Sequence, residues 1–140
     1  VVLLADEPAD HPTYTAEDLG LDDPLTPCDL DPQLIMIDRV HYQRPLQPSK
    51  VGALMKASED VRQHHPVLVG VRKSGSLLCV EGQHRVTAAT LLEDPSIPAL
   101  VFPSDGWKQE RDVYAAYQRW RAANDPQSPP ADAPKDTDAG

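Results

Sequence analysis

A chain of 140 residues, 40% of them hydrophobic, fits one domain with one modest core. No apolar run nears the roughly 18–20 residues of a membrane span, and Val1-Val2-Leu3-Leu4 runs at once into Asp6 and Glu7, so neither a membrane segment nor a signal peptide is expected. The net charge of −9 is unevenly spread: residues 1–30 hold eight acids and no Lys or Arg, residues 31–123 hold ten acids against twelve bases, and residues 124–140 hold four acids and Lys135. The acidity lies in the ends, so the overall charge says little about what the slightly basic middle binds.

Residues 1–30 read as an acidic arm dotted with Pro8, Pro12, Pro24 and Pro27. A short helix at Thr15–Leu19, with Thr15 as N-cap, competes with an extended arm laid on the domain, and the extended reading is preferred. Gln33–Val40 (QLIMIDRV) is an apolar run of strand length. Residues 48–61 place Val51, Leu54, Met55 and Ser58 at helical spacing, with Pro48 suited to the first helical position. Strands are expected at 66–71 and 77–80, joined tightly through Lys73-Ser74-Gly75-Ser76. A helix is expected over 83–93, stopped by Asp94-Pro95, then a strand over 97–102 and a helix over 107–120.

The order β-α-β-β-α-β-α describes a mixed α/β (α+β) domain over residues 31–123, a small mixed sheet covered by helices. Residues 124–140 are Pro/Asp/Ala-rich without a large apolar side chain and read as a disordered tail. Cys28 and Cys79 form no metal or redox spacing; Cys79 reads as a reduced core residue, and a cytosolic chain is expected.

The stretch Leu77–Leu92 (LLCVEGQHRVTAATLL) sets His84 and Arg85 at the join between a buried strand and a helix. The first N–H groups of a helix lack internal partners, and the dipole adds partial positive charge there. Gly82 removes a Cβ from the approach, Arg85 adds a fork matched to phosphate or carboxylate, and His84 adds a donor that titrates near neutrality. The combination makes an anion site; the competing reading pairs Arg85 with Glu81 or Glu93 and packs His84. Lys50 is a second exception, a cation in the first turn of a helix, where the dipole disfavours it unless an anion binds.

Pro66-Val67-Leu68-Val69, Glu81-Gly82-Gln83-His84-Arg85 and Ile97-Pro98-Ala99-Leu100-Val101, in that order and spacing, resemble the ParB N-terminal/sulfiredoxin superfamily over about residues 33–120. The Gly-Gln-His-Arg form is also similar to phage and DNA-modification proteins of that group. The resemblance implies a phosphate or nucleotide site at this helix start, with Lys50, Gly82, Gln83, His84 and Arg85 as ligand contacts and ATP or CTP with Mg²⁺ as ligand. Glu81, His84 and Arg85 are the catalytic candidates: the Glu81 carboxylate could act as a base or hold Mg²⁺, against a salt bridge to Arg85 as the competing reading, and no resident metal site is expected. Gln83 stands where sulfiredoxins have their catalytic cysteine, so rescue of a sulfinic cysteine is not expected. ParB proteins have two arginines in the motif and a helix-turn-helix domain downstream; this chain has His84-Arg85 and then its tail.

The leading expectation is a nucleotide-binding domain that hydrolyses the nucleotide or transfers its phosphoryl group. The alternatives are a DNA-associated module of a phage or mobile element, with a ParB-like nuclease as its enzymatic extreme, and a non-catalytic interaction scaffold. Expected partners are a nucleotide, DNA or a DNA-bound protein, and a second copy of the chain. His64-His65 make a poor metal pair, because neighbours in an extended segment point opposite ways. His41 and Arg44 are candidates to line the same mouth as Lys50. Lys108, Arg111, Arg119 and Arg121 give the last helix a weak basic patch.

Overall fold

The structure, a computed structural model, describes residues 14–63 and 65–124. The elements are β1 (Thr26–Leu30), β2 (Ile35–Met36), α1 (Pro48–Lys56), α2 (Glu59–Arg62), β3 (Val67–Arg72), β4 (Leu77–Glu81), α3 (Gln83–Leu91), β5 (Ile97–Ser104) and α4 (Trp107–Asn124), with 3-10 turns at Glu17–Leu19 and Pro32–Leu34. The sheet has five strands in the order β1-β5-β3-β4-β2. β3 and β5 run parallel, as do β2 and β4; β3 is antiparallel to β4 and β1 to β5. The mixed α/β class expected from sequence is the one observed. No helix among the described residues is long and apolar enough to cross a membrane.

The largest difference from the sequence reading is β1. The sequence places Thr26–Leu30 in the arm, yet the segment pairs with β5 from Thr26↔Val101 to Leu30↔Ile97. Four of its five residues are exposed, so no apolar alternation marks it. Pro27 is tolerated because β1 lies at the sheet edge. The first strand expected over 33–40 shrinks to two residues. Asp31 accepts from Gln33 N and Asp38 Oδ1 accepts from the N–H groups of Val40 and His41, so two carboxylates divert the backbone into turns on either side. The helix expected over 48–61 breaks after Lys56, where Ala57 turns extended; Ser58-Glu59-Asp60 then starts α2 with both acids in its first turn.

β3 and β4 close through Gly75, at φ 93°, with Gly75 N donating to Arg72 O and Arg72 N to Ser76 O. On one sheet face Ile35, Val67, Val69, Cys79, Ile97 and Ala99 form the core with Val86 and Ala89 of α3, and α1 packs on α3. Strand alternation turns Leu68, Gly70, Val80 and Phe102 to the other face. There Gly70 lies so close to Phe102, Ser104 and Glu110 that an added Cβ would sit 3.0 Å from Ser104 Cβ.

The chain divides into two units, residues 25–114 and the pair of segments 1–24 and 115–140. In the second unit Thr15 and Asp18 bond each other reciprocally, side chain to backbone N–H, ahead of the Glu17–Leu19 turn. Tyr14 meets the rings of Tyr117 and Trp120 edge-on, at centroid distances of 5.6 and 5.3 Å. The expectations for residues 1–13, His64 and 125–140, including the disordered tail and half of the His64-His65 pair, lie outside the described residues. Cys28 is exposed and Cys79 buried, both free thiols.

Candidate functional site: two joined helix starts

The site begins in the ladder between β3 and β4. Leu68 pairs with Glu81 but Val69 with Cys79, so β4 carries one extra residue at Val80 just before it ends. Such a bulge bends a strand and re-aims the chain beyond it. Gly82 comes next, at φ 106°, and serves as N-cap of α3. A Cβ on it would lie 2.6 Å from Val67 Cγ1. The glycine is therefore demanded by the turn and by Val67 beneath it, rather than by access for a ligand from outside.

At the start of α3 no side chain caps the helix and no acid occupies the first turn. The N–H groups of Gln83, His84 and Arg85 have no intrahelical acceptor by geometry. The start of α1 shares these traits: its N-cap is Gln47, without a side-chain cap, and its first turn holds Lys50 and no acid. A bridge segment, Arg44–Gln47, ties the two starts together. Gln83 Nε2 donates to Arg44 O at 2.9 Å, and Gln47 N–H donates to His84 Nε2 at 3.1 Å.

His84 thus acts as an acceptor, which requires its neutral ring. Its pKa is held below the ordinary 6.5 by burial first, then by the charges of Lys50 and Arg39. Neither cation has a hydrogen bond or ion pair among the described residues, and no acid faces them in either first turn. Gln83 is 6% exposed, and its Oε1 has no donor among the described residues. An orphaned buried acceptor costs about 1–3 kcal/mol.

Arg85 is engaged differently. Its Nη2 donates to both oxygens of Glu81, at 2.9 and 3.0 Å, and its Nη1 to the carbonyl of His65. Both side chains are more than four-fifths buried. This is the Glu81 pairing that competes with an anion site in the sequence, and it clamps the end of β4 to the first turn of α3. Of the residues singled out from sequence, Gln83, His84 and Lys50 come together at the joined helix starts, Glu81 and Arg85 bind each other beside them, and Arg44 joins through its carbonyl. His41 is drawn elsewhere: it bonds Asp38 at 2.7 Å and stacks on Trp107 at 4.1 Å. Lys108 and Arg111 lie over the same Trp107 ring, and Arg111 also meets Asp112 at 3.3 Å, so these two charges of the basic patch are partly spent locally. Among the described residues no three His, Cys, Asp or Glu side chains converge.

Sequence reasoning missed Arg39, Gln43 and Glu110. Arg39 comes directly after the turn-forming Asp38, and its charge acts on the His84 ring. Gln43 is buried and donates to the carbonyls of Cys79 and Val80, beyond the point where β2 stops pairing with β4. In the sequence Glu110 is one acid on a mixed-charge helix. In the structure it is 0% exposed and accepts from Arg72 Nε (2.9 Å) and Nη2 (2.7 Å), Tyr42 Oη (2.9 Å) and Ser104 Oγ (2.5 Å). The available signal was the helical spacing of Glu110 with Val113, which puts both on one face.

No protein-family model matches the sequence, and no curated protein matches it. Solved structures do. The chain is similar to the C-terminally truncated chromosome-partitioning protein ParB from Caulobacter crescentus complexed with CTP-gamma-S, at 16% identity and a TM-score of 0.54, over 69% of this chain and 54% of that one. It is similar to a Pnob8-like ParB-N domain at 13% identity and a TM-score of 0.53, over 74% of this chain and 40% of that one. The Caulobacter protein complexed to the centromeric parS site aligns at 16% identity and a TM-score of 0.49, over 63% and 44%. The chain spans about half the length of these proteins or less. At such identities the likeness is one of fold, and the fold is ParB-like.

Proposed function

On this ParB-like fold, we propose that the joined starts of α1 and α3 bind the phosphate groups of a nucleoside triphosphate, CTP or ATP. Gln83, His84 and Arg85 offer backbone N–H groups, and Lys50 and Arg39 offer charge. The observation that carries the reading is the pairing of two uncapped, acid-free helix starts with cations that have no counter-ion among the described residues. The similarity to a ParB complexed with CTP-gamma-S supports CTP as the first probe.

In this reading Arg85 exchanges Glu81 for a phosphate oxygen, which frees Glu81 to act as a base; until then the carboxylate is neutralised. His84 joins the two helix starts through Nε2 and meets the ligand through its backbone N–H. Among the described residues neither first turn holds a carboxylate and no three ligating side chains converge, so in this reading Mg²⁺ would arrive on the phosphates, with the released Glu81 as the carboxylate at hand to meet it.

Calorimetry with CTP and ATP, with and without Mg²⁺, tests the reading, with phosphate release followed in the same samples. The wild-type protein binds, and Lys50→Ala and Arg85→Ala each lose about tenfold or more in affinity while melting as folded proteins. Unchanged affinity in both variants removes the site. Gel shifts with single- and double-stranded DNA test the DNA-associated alternative.

A further inference from the structure

We propose that Tyr42 and Glu110 are positioning residues of the helix-start site, acting on it through the bridge segment Arg44–Gln47; the inference rests on the phosphate reading of that site. Glu110 is the fixed end. It is fully buried, and four donors hold its two oxygens. Three of those donors, two from Arg72 and one from Ser104, come from sheet strands. The fourth, the Tyr42 hydroxyl, comes from the loop that runs into the site.

From Tyr42 the loop is secured almost residue by residue. Gln43 bonds the Cys79 and Val80 carbonyls at 3.0 and 2.7 Å. The Arg44 carbonyl receives Gln83 Nε2, and the Gln47 N–H reaches His84 Nε2. A shift of the loop at Tyr42 therefore passes to the two side chains that open α3. Burial and the neighbouring Glu110 charge push the Tyr42 pKa up, so the hydroxyl keeps its proton and remains a donor. A second tie holds the same loop to the same helix: His41 stacks on Trp107, in the first turn of α4.

A role in stability alone is separable by comparing two single-atom deletions on one carboxylate. Tyr42→Phe removes the hydrogen bond from the loop. Ser104→Ala removes one from β5, together with the bond that Gly106 N–H donates to the same hydroxyl, and leaves the bonds of Tyr42, Gln43, Arg44 and Gln47 in place. Both variants are measured in the full chain by thermal melting, by ¹⁵N NMR of the His84 ring and the Gln83 side-chain amide without nucleotide, and by calorimetry with CTP. The expected result is that both lower the melting temperature, but only Tyr42→Phe shifts the His84 and Gln83 signals and weakens CTP binding, by about fivefold to tenfold. If both variants move those signals alike, or Tyr42→Phe moves neither, the positioning role is overturned. Absence of CTP binding in the wild-type protein defeats the nucleotide reading alone, because the NMR comparison still decides whether Tyr42 positions α3.

Discussion

Beside the joined starts of α1 and α3 the cations Lys50 and Arg39 have no counter-ion among the described residues, whereas in the first turn of α4 the carboxylate of Glu110 has four donors. Both clusters lie in the unit of residues 25–114. On the phosphate reading, the difference separates a charge that holds the fold from a charge kept for a ligand. A saturated buried carboxylate offers nothing to a ligand and much to stability. Lys50 in the first turn of α1 costs stability, since the dipole opposes a cation there, and on the phosphate reading a bound anion offsets that cost.

The comparison is broken most directly at Glu110. Glu110→Ala leaves Arg72, Tyr42 and Ser104 without their shared acceptor, and loss of one partner of a buried ion pair costs about 3–5 kcal/mol. Arg72 is partly exposed, which places the expected loss at the lower end, about 3 kcal/mol. Urea unfolding measures it. The pH dependence has a definite sign. Burial works to raise the Glu110 pKa, and the hydrogen bonds from Arg72, Ser104 and Tyr42 outweigh it, so the folded value lies below the ordinary 4.5. The stabilisation is complete above about 4.5 and is lost as pH falls through the depressed folded value. Glu110→Gln removes that slope, and an unchanged acid limb shows that other carboxylates control it.

Glycines sharpen the contrast between structural and reserve features. Gly82→Ala forces an L side chain into φ 106° and against Val67, a cost of about 2 kcal/mol or more. Gly52, inside α1, has open space where its Cβ would go, so Gly52→Ala gains about 0.5–1 kcal/mol. Equal effects at the two positions contradict the account of the strand–helix join.

The legibility of the fold in the sequence varies with what each residue advertises. The strands Val67–Arg72, Leu77–Glu81 and Ile97–Ser104 announced themselves by continuous apolar runs, because they are covered on both faces. β1 did not, because an exposed edge strand needs no apolar pattern and its pairing with β5 is a long-range event. Lys50 and His84 stood out because local helix physics makes a cation or an uncapped start conspicuous, whereas Gln83 entered only through the family resemblance. Arg39 and Tyr42 did not stand out, because only the turn at Asp38 and the buried Glu110 give them their places. The Glu81–Arg85 pair was visible as an i,i+4 spacing, but spacing alone does not choose between a salt bridge and a phosphate contact.

His84 tests the site with a smaller effect. Its folded pKa lies below 6.5, so the unfolded chain takes up a proton first as pH falls. Stability from the neutral ring is fully present above about 6.5 and is lost as pH falls through the folded value. Between pH 7.5 and 5.5, His84→Gln reduces the slope of unfolding free energy by no more than about 1.4 kcal/mol per pH unit, the limit for one proton. An identical slope in variant and wild type shows that His84 does not hold Gln47 as a neutral acceptor.

The smallest stability effect carries the most functional information. Lys50→Glu replaces a cation that the dipole of α1 disfavours with an anion that it favours, and is expected to stabilise the fold by about 0.3–1 kcal/mol. The same change puts a negative charge where the phosphate reading needs a positive one, so CTP affinity falls while the melting temperature rises. A structural lysine predicts the opposite pairing, lower stability with no change in binding. The two measurements on one variant therefore state whether the unpaired charge at the helix starts belongs to the fold or to a ligand.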